Sequence, residues 1–218
     1  LVKLSRSHRR ISMAVLVSAI LLVPAFAYAN PYSVNRHEDQ YHWGVSADVY
    51  VFKYSTSNLN TNTTIVAHRT DHAGFVEVGH GRVSQNPYEA FYVWGEYGGY
   101  NYRAIRAVNA LETHRYWTAY NAGEGAYWVW MDDSSVPVGK INISQVAGMT
   151  SSWPCVNVDK ALVTDEARGC FKTLKYRNQT WGSWSYWNGS AFCCDNDPYY
   201  SARVISPTHI DVVQTLLP

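Results

Sequence analysis

A period of two constrains the folding of this chain more than any other feature. Apolar and aromatic residues alternate with polar ones in SADVYVFKY (46–54), FVEVGHG (75–81), EAFYVWGEY (89–97), HRYWTAYNA (114–122) and GAYWVWMD (125–132). CFKTLKYRN (170–178), GSWSYWNG (182–189), YYSARVIS (199–206) and HIDVVQTL (209–216) continue the series. Gly, Asn, Asp and Pro separate the runs, and almost nothing repeats near 3.6 residues. Successive side chains of a strand point to opposite faces. Many short runs of this kind with turn signals between them predict an all-β chain folded as an antiparallel two-sheet β-sandwich. The single helical candidate is DKALVTDEAR, 159–168.

Parity sorts the side chains. In 89–97, Tyr92 and Trp94 share one face, and Glu89, Phe91, Val93 and Tyr97 share the other. In 75–81, Val76 and Val78 oppose Phe75, Glu77 and Gly79. In 125–132, Trp128 and Trp130 oppose Tyr127 and Val129. The simplest packing puts Val76, Val78, Tyr92, Trp94, Trp128 and Trp130 between the sheets. The second set then faces outward, and its mixture of aromatics with two glutamates predicts a groove.

The first 29 residues read as a secretory signal peptide. LVKLSRSHRR is basic, ISMAVLVSAILLVPAFA is apolar, and Ala27-Tyr28-Ala29 is a small-x-small cleavage site. Removing them leaves 189 of the 218 residues, enough for one domain with its own core. Residues 30–44 read as an irregular lead-in and 45–218 as a single sandwich domain. Four of the 18 Lys and Arg leave with the leader and none of the 17 acids, so the remainder carries a net charge of −3. That balance gives no electrostatic footprint for nucleic acid. No other apolar run is long enough to cross a bilayer. A secreted monomer is expected, without membrane attachment once the leader is gone.

Four cysteines, Cys155, Cys170, Cys193 and Cys194, lie late in the chain. In a secreted protein they predict two disulfides. Neighbouring Cα atoms are about 3.8 Å apart, too close for an ordinary bridge, so the vicinal pair is expected to reach back to Cys155 and Cys170 in either order. Zinc is the rival reading, weakened by the lack of a CxxC and by His209 being the only histidine after Cys155. His68, Asp71 and His72, with His80 nearby, form a second metal candidate, read more simply as polar turn residues. Asp132-Asp133 reads as turn chemistry. Neither metal nor cofactor is expected. Trp181, Trp184 and Trp187 offer a stacking surface for sugar rings, although their spacing turns at least one of them inward.

Two stretches resemble a known family. Glu77-Val78-Gly79, followed at a similar gap by Tyr88-Glu89-Ala90-Phe91-Tyr92-Val93-Trp94, is similar to the Gln-Thr-Gly and Tyr-Asp-Ala-Trp-Tyr-Glu-Trp motifs of the eqolisin-type glutamic peptidases. Ala126-Tyr127-Trp128-Val129-Trp130 resembles the family's later Ala-Glu-Trp-Ile-Val. The plant neprosin-type proteins carry comparable strands. The likeness spans roughly 75–131 and implies a secreted, concanavalin-like jelly roll with a groove for extended polypeptide, either active as an acid-type endopeptidase or a degenerate relative that keeps the groove without the activity.

The family's glutamate acts as general base on water, and its glutamine amide stabilises the oxyanion. Here Glu77 stands at the glutamine position, Tyr127 at the glutamate position, Glu89 at the motif aspartate and Val93 at the motif glutamate. A phenol with a pKa near 10 is no general base at neutral pH. The resemblance therefore implies exchanged roles, with Glu77 activating water and Tyr127 donating to the oxyanion. A variant pairs Glu77 with Glu89 as carboxylates sharing a proton. Phe75, Phe91, Val93, Tyr97 and Val129 would line the groove. The alternative is a non-catalytic module that binds glycan or a surface partner.

Overall fold

A computed structural model describes residues 31–37, 42–53, 61–69, 74–82, 86–96, 99–143, 152–159, 169–177, 182–187, 191–193 and 200–214. All belong to the compact unit Pro31–Pro218. The leader and most of the helical candidate at 159–168 lie outside them, as do Asp71, His72, Tyr97, Trp181 and Cys194.

The described residues form strands, turns and loops without a helix. Sheet A runs in the order β13 (Ala191–Cys193), β1 (Pro31–His37), β10 (Ser152–Asp159), β3 (Thr61–Arg69), β4 (Gly74–Arg82), β5 (Glu89–Glu96) and β6 (Asn101–Ala107). Sheet B runs β14 (Tyr200–Ser206), β15 (His209–Gln214), β11 (Gly169–Arg177), β2 (Gly44–Tyr50), β7 (Thr113–Asn121), β8 (Ala126–Met131) and β9 (Gly139–Ile141), with β12 (Trp184–Tyr186) paired to β11 beside that path. Every described pairing is antiparallel, from β1 with β10 to β8 with β9. The two sheets make an all-β sandwich. All nine alternating runs of the sequence hold a strand. The expected irregular lead-in does not hold for Pro31–His37, which is a strand paired on both edges, to β10 and to β13.

Alternate residues of both sheets fill the interior. Val45, Ala47 and Val49 of β2 meet Ile65 and Ala67 of β3, Val76 and Val78 of β4, and Ala90 and Tyr92 of β5. Phe171 lies between its register partners Val49 and Ile210, and all three are fully buried. Burying a side chain of that size contributes about 1.5–3 kcal/mol. Two contacts tie the sheets together. The Tyr92 ring of β5 lies against Gly139 of β9, where an added Cβ would come within 2.6 Å of Tyr92 Cζ. His80 of β4 packs against Tyr116 of β7 with ring centroids 5.9 Å apart.

The expected core is correct for Val76, Val78 and Tyr92, and Trp94 packs partly buried against it. It is inverted on β8. Tyr127, Val129 and Met131 enter the interior, so Trp128 and Trp130 lie on the outer face. There Trp130 stacks on its register partner Trp117, with centroids 3.7 Å apart and planes 10° from parallel. A strand with large apolar residues at both parities carries no polar signal to choose its face.

Cys170 is a free, half-buried thiol, which corrects its expected place in a disulfide. Its register partner on β15 is Asp211. Burial, together with the hydrogen bond and charge of Asp211, pushes the thiol up to about 12, while Lys172 acts in the opposite direction. The side chains of Cys155 and Cys193 lie outside the description.

Candidate functional site

The outer face of sheet A collects two rows of residues across its strands. In the first, Val66 of β3, Glu77 of β4, Val93 of β5 and Tyr102 of β6 are successive register partners. Val66 and Val93 are almost wholly buried, at 2% and 1% exposure. Glu77 is half-buried between them and accepts a hydrogen bond from Thr64 Oγ1 at 2.5 Å. In the second row, Asn62, Gly81 and Glu89 are partners across β3, β4 and β5. Gly81 lacks a side chain, so a carboxamide and a carboxylate stand on either side of bare backbone, two strand spacings or about 10 Å apart.

That second row opens into a groove of about 290 Å³ lined by Asn62, Gly81, Arg82, Asn86, Pro87, Tyr88, Glu89, Phe91, Tyr102 and Ala107. Within it the Tyr102 hydroxyl donates a hydrogen bond to Glu89 Oε1. Partial burial, then the hydrogen bond and charge of Glu89, raise the Tyr102 phenol well above its ordinary value. Tyr102 therefore stays neutral and remains a donor. Its ring packs on Phe91 at 5.3 Å, and the Arg82 guanidinium lies 5.5 Å over the Tyr88 ring.

The sequence-predicted residues distribute unevenly over this geometry. Phe75, Glu77, Glu89, Phe91 and Val93 do share the outer face of sheet A. Tyr127 does not join them. It is a sheet B residue, 4% exposed, in the core beside Tyr120, so the expectation that it faces the same open surface as Glu77 is corrected. Val129 is fully buried in the same core and lines no groove. Val93 is covered rather than open. Phe75 is half-buried, with its ring 6.5 Å from that of Tyr100. Glu77 and Glu89 are separated by four strand positions, about 13 Å, and each engages a different hydroxyl. They do not form a proton-sharing pair.

Tyr102 and Asn62 were not legible as site residues. NYRAIRA shows no apolar alternation, because β6 is an edge strand exposed along most of its length. Thr-rich β3 reads as polar although Thr63 and Thr64 are buried. His80, considered as a metal ligand, points into the core.

The outer face of sheet B carries a different surface. Trp117, Ala119, Asn121, Trp128, Trp130 and Arg177 line a depression of about 120 Å³. Trp184 meets Trp117 edge-on at 5.7 Å. Lys140 Nζ lies 5.0 Å over the Trp128 ring and donates to Glu124 at 2.9 Å. Trp187 is buried in the core.

By sequence, no protein-family model and no curated protein matches the chain. Solved structures do match it in shape. Scytalido-glutamic peptidase with a peptide-based transition state analog superposes with a TM-score of 0.57 at 11% identity, covering 85% of this chain and 97% of the other. The same peptidase with a transition state analog inhibitor gives 0.54 at the same identity and coverage. SCP-B, a member of the eqolisin family of peptidases solved with the tripeptide Ala-Ile-His, gives 0.52 at 11% identity, again covering 85% and 97%. The fold is glutamic-peptidase-like. At such identity the likeness speaks for the architecture, and the chemistry rests on this chain's own side chains.

Proposed function

We propose that this is a secreted protein that binds extended polypeptide along the outer face of sheet A and hydrolyses it at Glu89. The observation that carries the reading is the convergence of a carboxylate, a phenol and a carboxamide on one groove, with Gly81 as its floor. The matched structures hold a peptide-based analog and a tripeptide, which supports polypeptide as the ligand class.

In the proposed reaction Glu89 takes a proton from water as the oxygen attacks the scissile carbonyl carbon. The carbonyl oxygen gains the charge, and the Tyr102 O–H and Asn62 amide N–H donate to it. Collapse breaks the C–N bond, and Glu89 returns its proton to the leaving amine nitrogen. One water is consumed, giving one carboxyl and one amine. Glu77, held by Thr64, supports the sheet face beside the reaction. The test is digestion of unfolded casein by the mature chain from pH 2 to 8, with Gly81→Val as the blocked control. Cleavage by the wild type that is lost in Gly81→Val supports the reading. No cleavage at any pH overturns it.

A second reading rests on the tryptophans of sheet B. The partly exposed rings of Trp117 and Trp128, beside Arg177 in the same depression, offer aromatic surface of the kind that stacks against pyranose rings. Retention on insoluble polysaccharide that falls in Trp128→Ala favours this glycan-binding role. No retention on a broad panel removes it.

A further inference from the structure

Strand pairing brings together three donor groups that lie 39 residues or more apart or on alternate positions of one strand. Cys170 of β11 and Asp211 of β15 are direct register partners, and His209 stands two positions before Asp211 on the same face. Phe171 and Ile210, the residues next to them, are fully buried partners in the core. That pins the register, and it turns Cys170, His209 and Asp211 to the outer face of sheet B. Cys170 Sγ lies 3.6 Å from His209 Nε2, and the same nitrogen lies 3.0 Å from Asp211 Oδ1. All three donor atoms fall within 4.8 Å of one another, and all three residues are half-buried.

The geometry separates two chemistries. A Cys-His-Asp nucleophilic triad needs both imidazole nitrogens, one toward the thiol and the other toward the carboxylate. Here a single nitrogen faces both partners, so no relay runs through the ring. Instead the thiol sulfur, one imidazole nitrogen and a carboxylate oxygen form a compact set of donors within 4.8 Å of one another. Around a tetrahedral zinc ion, Zn–S near 2.3 Å and Zn–N near 2.05 Å place sulfur and nitrogen about 3.6 Å apart, and nitrogen and oxygen about 3.4 Å apart. The observed spacings match to within a few tenths of an ångström. Soft thiolate beside imidazole and a single carboxylate selects zinc over calcium or magnesium, which take all-oxygen sets.

We propose that Cys170, His209 and Asp211 form a zinc-binding site, with three protein ligands and a fourth position open to water. On binding, the S–H bond breaks, the sulfur lone pair goes to the metal, and the proton passes to solvent. The site lies on the sheet opposite Glu89, so it is independent of the peptidase reading.

Cobalt(II) is the probe, added to the reduced mature chain. The wild type is expected to show thiolate-to-cobalt charge-transfer absorption in the near ultraviolet, displaced by one equivalent of zinc. Cys170→Ser is expected to lose that absorption. Asp211→Asn and His209→Gln are expected to weaken zinc binding by more than about tenfold while keeping the wild-type circular dichroism. Because these side chains are on the outer face, at least the two conservative variants retain the fold. An unchanged band in Cys170→Ser, zinc affinity unaffected in both other variants, or no cobalt or zinc bound by the wild type at micromolar concentration would each overturn the proposal.

Discussion

The Tyr102 hydroxyl donates to Glu89 Oε1 across the β5–β6 pair. The bond joins a carboxylate to a phenol that burial and that same carboxylate keep protonated. In the proposed reaction, substrate entry exchanges this contact for one to the developing oxyanion. The ground state therefore already holds the donor within reach of the reacting centre.

Tyr102→Phe removes the donor and leaves the ring packing on Phe91 in place. Peptide cleavage is expected to fall about 10²-fold, in line with loss of an oxyanion donor. The thermal midpoint should barely move, because a half-exposed hydrogen bond contributes about 1 kcal/mol or less. Steady-state kinetics beside a melting curve check both halves.

His80 sets an acid limit on stability. It is buried against Tyr116, and burial, with a smaller contribution from the charge of His114, lowers its pKa from 6.5 to about 3. Between those values the unfolded chain binds a proton that the folded chain refuses. The contribution is fully present above pH 6.5 and is lost as pH falls toward 3, on the order of 5 kcal/mol when complete. Urea midpoints measured from pH 7 to 3.5 should fall steeply, and His80→Leu should flatten the slope.

Gly139→Ala tests the contact that ties the sheets. The new methyl would meet the Tyr92 ring at 2.6 Å, and overpacking of this kind costs about 1–3 kcal/mol. Combining it with Tyr92→Leu makes room for the methyl, so the two losses should be less than additive in denaturant titrations.

Much of the fold was legible because strands announce themselves by alternation. Wherever one parity was apolar and the other polar, as in Val76 and Val78 against Glu77, the face assignment was correct. β8 defeated the rule because AYWVWM is apolar at both parities. That inversion removed Tyr127 from the site. β1, β3, β6, β9, β10 and β13 were not read as strands, since they are short or lack a clean apolar-polar alternation even where, as in Thr-rich β3, β-branched residues abound, and pairing with neighbours supplies what the local pattern lacks. The site depended on such strands. Asn62 comes from β3 and Tyr102 from β6, and only register places them beside Glu89. The Cys170–His209–Asp211 cluster is hidden for the same reason, because partners 39 or more residues apart leave no spacing motif.

The most direct test of the central claim compares Glu89→Gln with Glu77→Gln in one series of peptide-cleavage rates from pH 4 to 8. Both substitutions are isosteric, and the amide oxygen introduced in Glu77→Gln can still accept the Thr64 hydrogen bond, so both proteins should fold. The groove assignment predicts that Glu89→Gln abolishes turnover and Glu77→Gln keeps it within a few-fold. Loss of turnover in Glu77→Gln with retention in Glu89→Gln would contradict it and return the chemistry to the centre of β4.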